Sequence, residues 1–174
     1  MRHYIEAFSI DWVKERGILW TGTAWNSFNT TFTIALISSL PTAAIGILTA
    51  YLLTRHKFRG KNAFEFGTML SFAIPGSVIG VSYVFAFNVP PLELTGTGII
   101  LVIAFVFRNM PVGVRAGIAA MNQLDPHLDE ASSTLNASSS QTFRNVILPL
   151  LKPAITASLV FSFVRAMTAI SAVI

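Results

Sequence analysis

The chain of 174 residues is 53% hydrophobic and only 11% charged, where a soluble domain carries about 25% charge; this excludes a water-soluble globular fold and points to an integral membrane protein. The net charge of +4 sits beside apolar runs, so membrane topology accounts for it and a nucleic-acid patch does not. Cysteine is absent, which excludes disulfides, thiolate metal sites and thiol redox chemistry.

At about twenty residues per span, this length admits about four transmembrane helices and their loops. Residues 1–25 mix Arg2, Glu6, Asp11, Lys14, Glu15 and Arg16 and lack the basic start, apolar core and cleavage site of a signal peptide. They read as an external loop or surface helix, with Trp12, Trp20 and Trp25 suited to the headgroup level. The first span is predicted over 28–53, free of charge and kinked at Pro41. In it Ala35, Ser39 and Ala43 recur every fourth residue, the small-residue spacing that lets helix backbones approach in lipid. Arg55, Lys57, Arg59 and Lys61 then place the next loop in the cytoplasm by the positive-inside rule.

The second span, 66–87, is again uncharged and holds Pro75, Gly76 and Gly80. A kinked helix lining a cavity and simple glycine packing explain these residues equally well. The loop from Asn88 to Gly98 contains no Lys or Arg and belongs outside. The third span, 97–121, carries Arg108, about 16 Å from its start at 1.5 Å per residue. That depth is near mid-bilayer, where an arginine costs about 2.5–3.5 kcal/mol. Arg108 therefore either faces a polar interior beside Asn109 and the helix opened by Pro111, or snorkels to the cytoplasmic headgroups with Arg115. The fourth span, 154–174, repeats the problem with Arg165. Ser158, Ser162, Arg165, Ala169 and Ala172 share one small, polar face there, which must look into protein or water.

Residues 122–153, between the third and fourth spans, are polar enough to stay out of the bilayer. Asp125 is placed to cap a helix with Pro126 at its first position. That helix runs to about Leu135, and Asn136 suits the left-handed residue that closes it. Ser138 to Gln141 reads as a capping box for a second helix, with Phe143, Val146, Ile147, Leu150 and Leu151 on one apolar face and Pro149 and Pro153 ending or kinking it. The result is a helix–turn–helix hairpin on a membrane surface.

The order Glu130-Ala131, Asn136, Val146, Leu148-Pro149 resembles the cytoplasmic EAA loop of binding-protein-dependent ABC importer permeases, with Ser132 for the second Ala, Asn136 for Gly and Val146 for Ile. The runs FAIPGSVIGVSYVFAF, FRNMPVGVRAGIAAM and FSFVRAMTAISAVI are similar to the iron(III)-type branch, and to the second half of its two-half permeases. The resemblance implies an all-α, polytopic permease of MetI-like fold, with about four transmembrane helices and a coupling-helix hairpin between the third and fourth. It assigns Asp129, Glu130, Ala131, Leu135, Asn136 and Ala137 to contact with the ATPase, and offers Pro75, Gly76, Arg108, Asn109, Ser162 and Arg165 as candidates for the solute path. The implied partners are cytoplasmic ABC ATPase subunits, a second permease half or subunit, an external solute-binding protein and membrane lipid, with no nucleic acid. ATP is bound by the partner, so this chain is expected to be non-catalytic and without cofactor or metal site, in the bacterial inner membrane.

Ferric iron is the cargo that the branch implies. The spans hold no cluster of the oxygen ligands that such a hard cation prefers, and His3, His56 and His127 all fall in loops. Two intramembrane arginines suit an anion or an anion-chelated metal, so an organophosphonate or other anion is the alternative cargo. A secondary transporter and a truncated, non-transporting remnant are the other classes. The apolar close at Ile174 leads us to expect a fold incomplete by at least one span.

Overall fold

The computed structural model describes residues 11–13, 17–19, 23–91 and 93–169. Trp20 and the predicted end of the fourth span, 170–174 with Ala172, lie outside the described residues, as does most of the segment before Thr23. Within that segment Asp11–Val13 (β1) pairs antiparallel with Gly17–Leu19 (β2), placing Trp12 opposite Ile18. From Thr23 onward the described chain is helix and turn.

Helix α1, Thr23–Arg55, passes through Pro41 without a break. The predicted second span is divided: α2 covers Lys61–Ala73, α3 covers Gly76–Phe87, and their axes differ by 107°. The cause is Pro75, which drives the residue before it out of the helical region; Ile74 is extended, at φ −85° and ψ 131°. Helix α4, Gly98–Met121, carries Pro111 inside it. Then come α5, His127–Thr134, α6, Ser139–Leu150, and α7, Lys152–Met167. Alone, α1 and α4 are long and apolar enough to cross a membrane, and the bent pairs α2–α3 and α6–α7 would complete four spans.

One correction concerns α6. Its middle, Phe143–Ile147, is a π-helical turn in which the Leu148 N–H donates to the Phe143 carbonyl. The wider turn rotates the residues beyond it, so Ile147 and Leu151 are fully buried while Leu150, expected on the same face, is 48% exposed. The turn leads into Pro149, and α7 leaves at 72° to α6.

The packed centre is α1, α4 and α7, and its seam is made of small residues. A β-carbon on Gly46 would lie 3.0 Å from the Gly113 backbone, and one on Gly117 would lie 2.5 Å from the Ala50 β-carbon. These pairs run in the same order along both helices, so α1 and α4 are parallel. Helix α7 is antiparallel to them, since Leu151 and Ala154 cluster with Ile47 and Met121 while Ala166 clusters with Ala35 and Phe105. Ala35, Ser39 and Ala43 are buried as their spacing implies, whereas Ile37, Leu40 and Leu48 face outward. Small residues inside and large apolar ones outside is the arrangement for lipid, where close packing rather than hydrophobic burial holds helices together. The hydroxyls of Thr30, Ser38, Ser39, Thr42 and Thr54 donate to carbonyls of α1 itself, Thr42 Oγ1 to the Ser38 carbonyl across 2.6 Å.

Candidate functional site

The hairpin α5–α6 is shaped by its own caps. Asp125 Oδ1 accepts the His127 N–H at 2.9 Å. At the other end Asn136 is left-handed, at φ 61°, and the Asn136 and Ala137 N–H groups donate to the Ser133 and Ser132 carbonyls at 2.9 and 3.2 Å. Two carbonyls that a helix end leaves orphaned are thereby satisfied. The capping box is complete: the Ser138 N–H donates to Gln141 Oε1 at 2.8 Å, and the Gln141 N–H to Ser138 Oγ at 3.3 Å. A buried contact of 2.6 Å between Ser132 Oγ and Thr142 Oγ1 ties the two helices together.

The six coupling candidates divide between two sides of this hairpin. Glu130 points outward, its side chain 75% exposed, with Oε2 3.0 Å from His127 Nδ1. Ala131 and Asn136 are exposed beside it, and Leu135 is 83% exposed, an apolar side chain presented to the aqueous side of the bundle. Asp129 instead turns inward: its Oδ2 lies 3.1 Å from Arg55 Nε at the end of α1, with side chains 33% and 15% exposed. The Nε–H points off that line, so the contact is an ion pair and not an aligned hydrogen bond. Asp129 and Ala137 line a recess of about 210 Å³ with Tyr51, Arg55 and Thr142, and the Tyr51 and Phe143 rings meet at 4.7 Å. The basic loop and the hairpin thus share one end of the bundle. Arg55 served only as a topology marker in the sequence; the signal for its pairing was an acid in the other loop assigned to the same side. Through its hydrogen bond to Glu130 and the nearby charges of Asp125 and Glu130, the His127 imidazole titrates above the ordinary value of 6.5.

The six path candidates also divide. Arg108 brings the end of its guanidinium against Gly76, where a β-carbon would come within 2.7 Å of Cζ and 2.8 Å of Nη2. Its Nη1 is enclosed and has no hydrogen-bond partner among the described residues. Arg165 stacks its Cζ 5.3 Å from the Phe72 ring centre and 5.8 Å from that of Phe161. With Pro75 exposed between Phe72 and Gly76, four of the candidates gather at the α2–α3 break. Asn109 and Ser162 are elsewhere, closed into the helix bundle at 2% and 1% exposure. The buried stripe of α7 runs Ala154, Ser158, Ser162, Ala166, so Arg165 lies beside that stripe and not on it. No group of three His, Cys, Asp or Glu among the described residues could hold a metal ion.

A bundle with lipid-facing apolar surfaces, bent helices and one rigid water-facing hairpin defines a polytopic membrane transport component. Residues 42–174 match the family described as binding-protein-dependent transport system inner membrane component, and the chain belongs to that family of inner-membrane, non-catalytic permease subunits. It is 54% identical over 151 residues to a putative ferric transport system permease of Haemophilus influenzae, covering 87% of this chain and 24% of that protein. It is 52% identical to a ferric transport system permease of Actinobacillus pleuropneumoniae, covering 87% of this chain and 22% of the relative. A sulfate transport system permease of Salmonella typhimurium is 31% identical over 158 residues, 85% of this chain and 57% of the relative. The chain spans about a quarter of the length of the ferric permeases it matches.

Proposed function

We propose that this chain forms part of the solute path of an ATP-driven importer of ferric iron, and that a cytoplasmic ATPase grips it by the α5–α6 hairpin. The observation that carries the coupling is Leu135, an apolar side chain 83% exposed on a hairpin whose caps leave it little freedom. Exposed apolar anchors on rigid elements are what docking partners bury, and Glu130 and Ala131 flank it. The ferric cargo rests on the 54% and 52% identity to ferric permeases. A second permease half or subunit completes the path, and an external binding protein delivers the metal.

Hairpin movement has two routes into the membrane. Asp129 pulls on Arg55 and so on α1, and α6 passes through its π turn and the 72° bend into α7. When the ATPase closes, α1 moves together with α4, to which its small-residue seam locks it, while α7 shifts through its bend, and the path opens alternately to each side.

The test is co-purification of the complete transporter with its ATPase, together with uptake of radioactive ferric iron into vesicles. Leu135→Asp and Glu130→Ala are expected to abolish or sharply reduce ATPase retention and uptake while membrane abundance stays unchanged. Normal uptake by the Leu135→Asp, Glu130→Ala double variant would overturn the coupling. Absence of ferric uptake by the wild-type transporter would overturn the cargo.

A further inference from the structure

The α2–α3 break concentrates hydrogen-bond donors where the described residues offer no counter-charge. Arg108 brings the Nη1 end of its guanidinium against Gly76, and that enclosed Nη1 has no hydrogen-bond partner among the described residues. Four residues earlier, Phe72 carries the Arg165 guanidinium on its ring face. The first turn of α3 begins at this point with Pro75 as its N-cap, which supplies no side-chain cap, so the N-terminal end of the helix adds to the same positive field. Helices α1, α3, α4 and α7 contain no Asp or Glu. The acid of α2, Glu65, lies toward its cytoplasmic end, beyond Met69, whose sulfur meets Arg115 at 3.4 Å. Among the described residues the ion pairs are Arg55–Asp129 and His127–Glu130, and neither includes Arg108 or Arg165.

Two guanidinium groups and a helix N-terminus repel one another, and a low-dielectric surrounding magnifies that repulsion. An oxyanion reverses the balance, because its oxygens accept from a planar guanidinium fork in charge-assisted hydrogen bonds. Gly76 is what gives the fork its place, since any larger residue would push the guanidinium off the break.

We propose that the α2–α3 break is an oxyanion site, held by Arg108 with the charge of Arg165 beside it, and that ferric iron crosses as a complex with an oxyanion of the phosphate or carboxylate class. This rests on the ferric-importer reading and narrows it to the species carried. A phospholipid headgroup presents the same phosphate chemistry, so the source of the anion is part of the test.

The complete transporter containing this chain is reconstituted into vesicles of phosphatidylcholine, with or without phosphatidylglycerol, and supplied with radioactive ferric iron and radioactive inorganic phosphate. The expected result is phosphate uptake in fixed proportion to iron uptake. Arg108→Gln should lower both by about tenfold or more, the scale of a lost hydrogen bond to a charged group, while ATP hydrolysis stimulated by the binding protein continues. Arg108→Lys should recover part of the uptake. If Arg108→Gln does not assemble, Gly76→Ala provides the reading, since its methyl displaces the guanidinium from the same place. Iron uptake without phosphate, but dependent on both phosphatidylglycerol and Arg108, identifies a headgroup as the occupant and overturns co-transport while keeping the oxyanion site. Wild-type iron uptake by an Arg108→Gln, Arg165→Gln double variant, with no response to phosphate or lipid, overturns the site altogether. If the wild type carries no iron under any condition, the ferric reading fails instead.

Discussion

Ser71 donates its hydroxyl to the Phe107 carbonyl across 2.9 Å, and that carbonyl is the one Pro111 leaves without its helical N–H partner. A proline inside a helix removes the donor for the carbonyl four residues earlier, and in hydrocarbon no water replaces it. The bond therefore lets α4 keep Pro111 and fastens α2 to α4 just before α2 ends. The α2–α3 break has a fixed position beside Arg108 in part because this contact anchors its near side.

Ser71→Ala should destabilise the protein by about 1 kcal/mol, the cost of losing the bond to a carbonyl that has no helical partner. Ser82→Ala is the control, because the Ser82 hydroxyl bonds only the Val78 carbonyl of its own helix, at 2.7 Å. Thermal unfolding in detergent compares them; equal shifts in the two variants would remove the special role of Ser71.

The seam between α1, α4 and α7 makes a second, opposed pair of expectations. A β-carbon on Gly113 would stand 2.6 Å from Ser158 Oγ and 3.4 Å from the Gly46 Cα, while one on Gly117 would meet the Ala50 methyl. Gly113→Ala and Gly117→Leu should each lower stability by about 1–3 kcal/mol through overpacking. Gly67 has nothing within 4 Å of the same position, so Gly67→Ala should be neutral or stabilising by up to about 1 kcal/mol. Thermal unfolding again decides; a larger loss at Gly67 than at Gly117 would contradict the seam.

Local chemistry was readable where neighbouring residues act on one another. The Asp125 cap, the left-handed Asn136 and the Ser138–Gln141 box all form as their spacing implied. Relationships set by the third dimension could not be read. Gly113 and Gly117 repeat at the same interval as Ala35, Ser39 and Ala43, yet only the fold shows that they face Gly46 and Ala50. Pro75 announced a kink, but a 107° turn depends on what α3 meets afterwards. Leu150 left its expected face because a π turn precedes it, and no simple side-chain periodicity marks such a turn. Arg108 had two credible destinations, and only the fold shows its guanidinium set against Gly76, which leaves it room.

The left-handed turn at Asn136, φ 61°, gives a prediction in the stabilising direction. Glycine enters that region without the steric cost that asparagine meets, so Asn136→Gly should stabilise the hairpin by up to about 1 kcal/mol. Asn136→Val should destabilise it by more than this, because a branched β-carbon is strained there. Hydrogen exchange at the Asn136 and Ala137 amides, which close the α5 end, reports the change. Slower exchange in the valine variant than in the glycine variant would refute the assignment.

The exposed pair of His127 and Glu130 carries a pH dependence of known sign. The folded imidazole binds its proton more tightly than the ordinary 6.5, first through the Glu130 hydrogen bond and then through the charges of Asp125 and Glu130. A raised folded value means that the stabilisation is fully present below pH 6.5 and is lost as pH rises through the folded value. An NMR titration of the His127 ring should show a midpoint above 6.5 that falls toward it in Glu130→Gln. A midpoint unchanged by that substitution would mean the carboxylate is not the cause.

Asp129 and Arg55 join the hairpin to the membrane bundle, at 3.1 Å and with only partial exposure. The attraction is screened at this depth, so breaking it should cost about 1 kcal/mol of stability, far less than a fully buried pair would. Its larger consequence is mechanical, because Asp129 is the α5 residue whose side chain holds the end of α1. Arg55→Gln and Asp129→Asn should therefore each leave ATPase binding intact, since Leu135 and Glu130 still face outward, while reducing the uptake obtained per ATP hydrolysed. The exchanged variant, Arg55→Asp with Asp129→Arg, restores opposite charges across the contact and should recover part of that ratio. Recovery in the exchange distinguishes transmission through the pair from separate effects of either side chain, and an exchange worse than both single variants would exclude it.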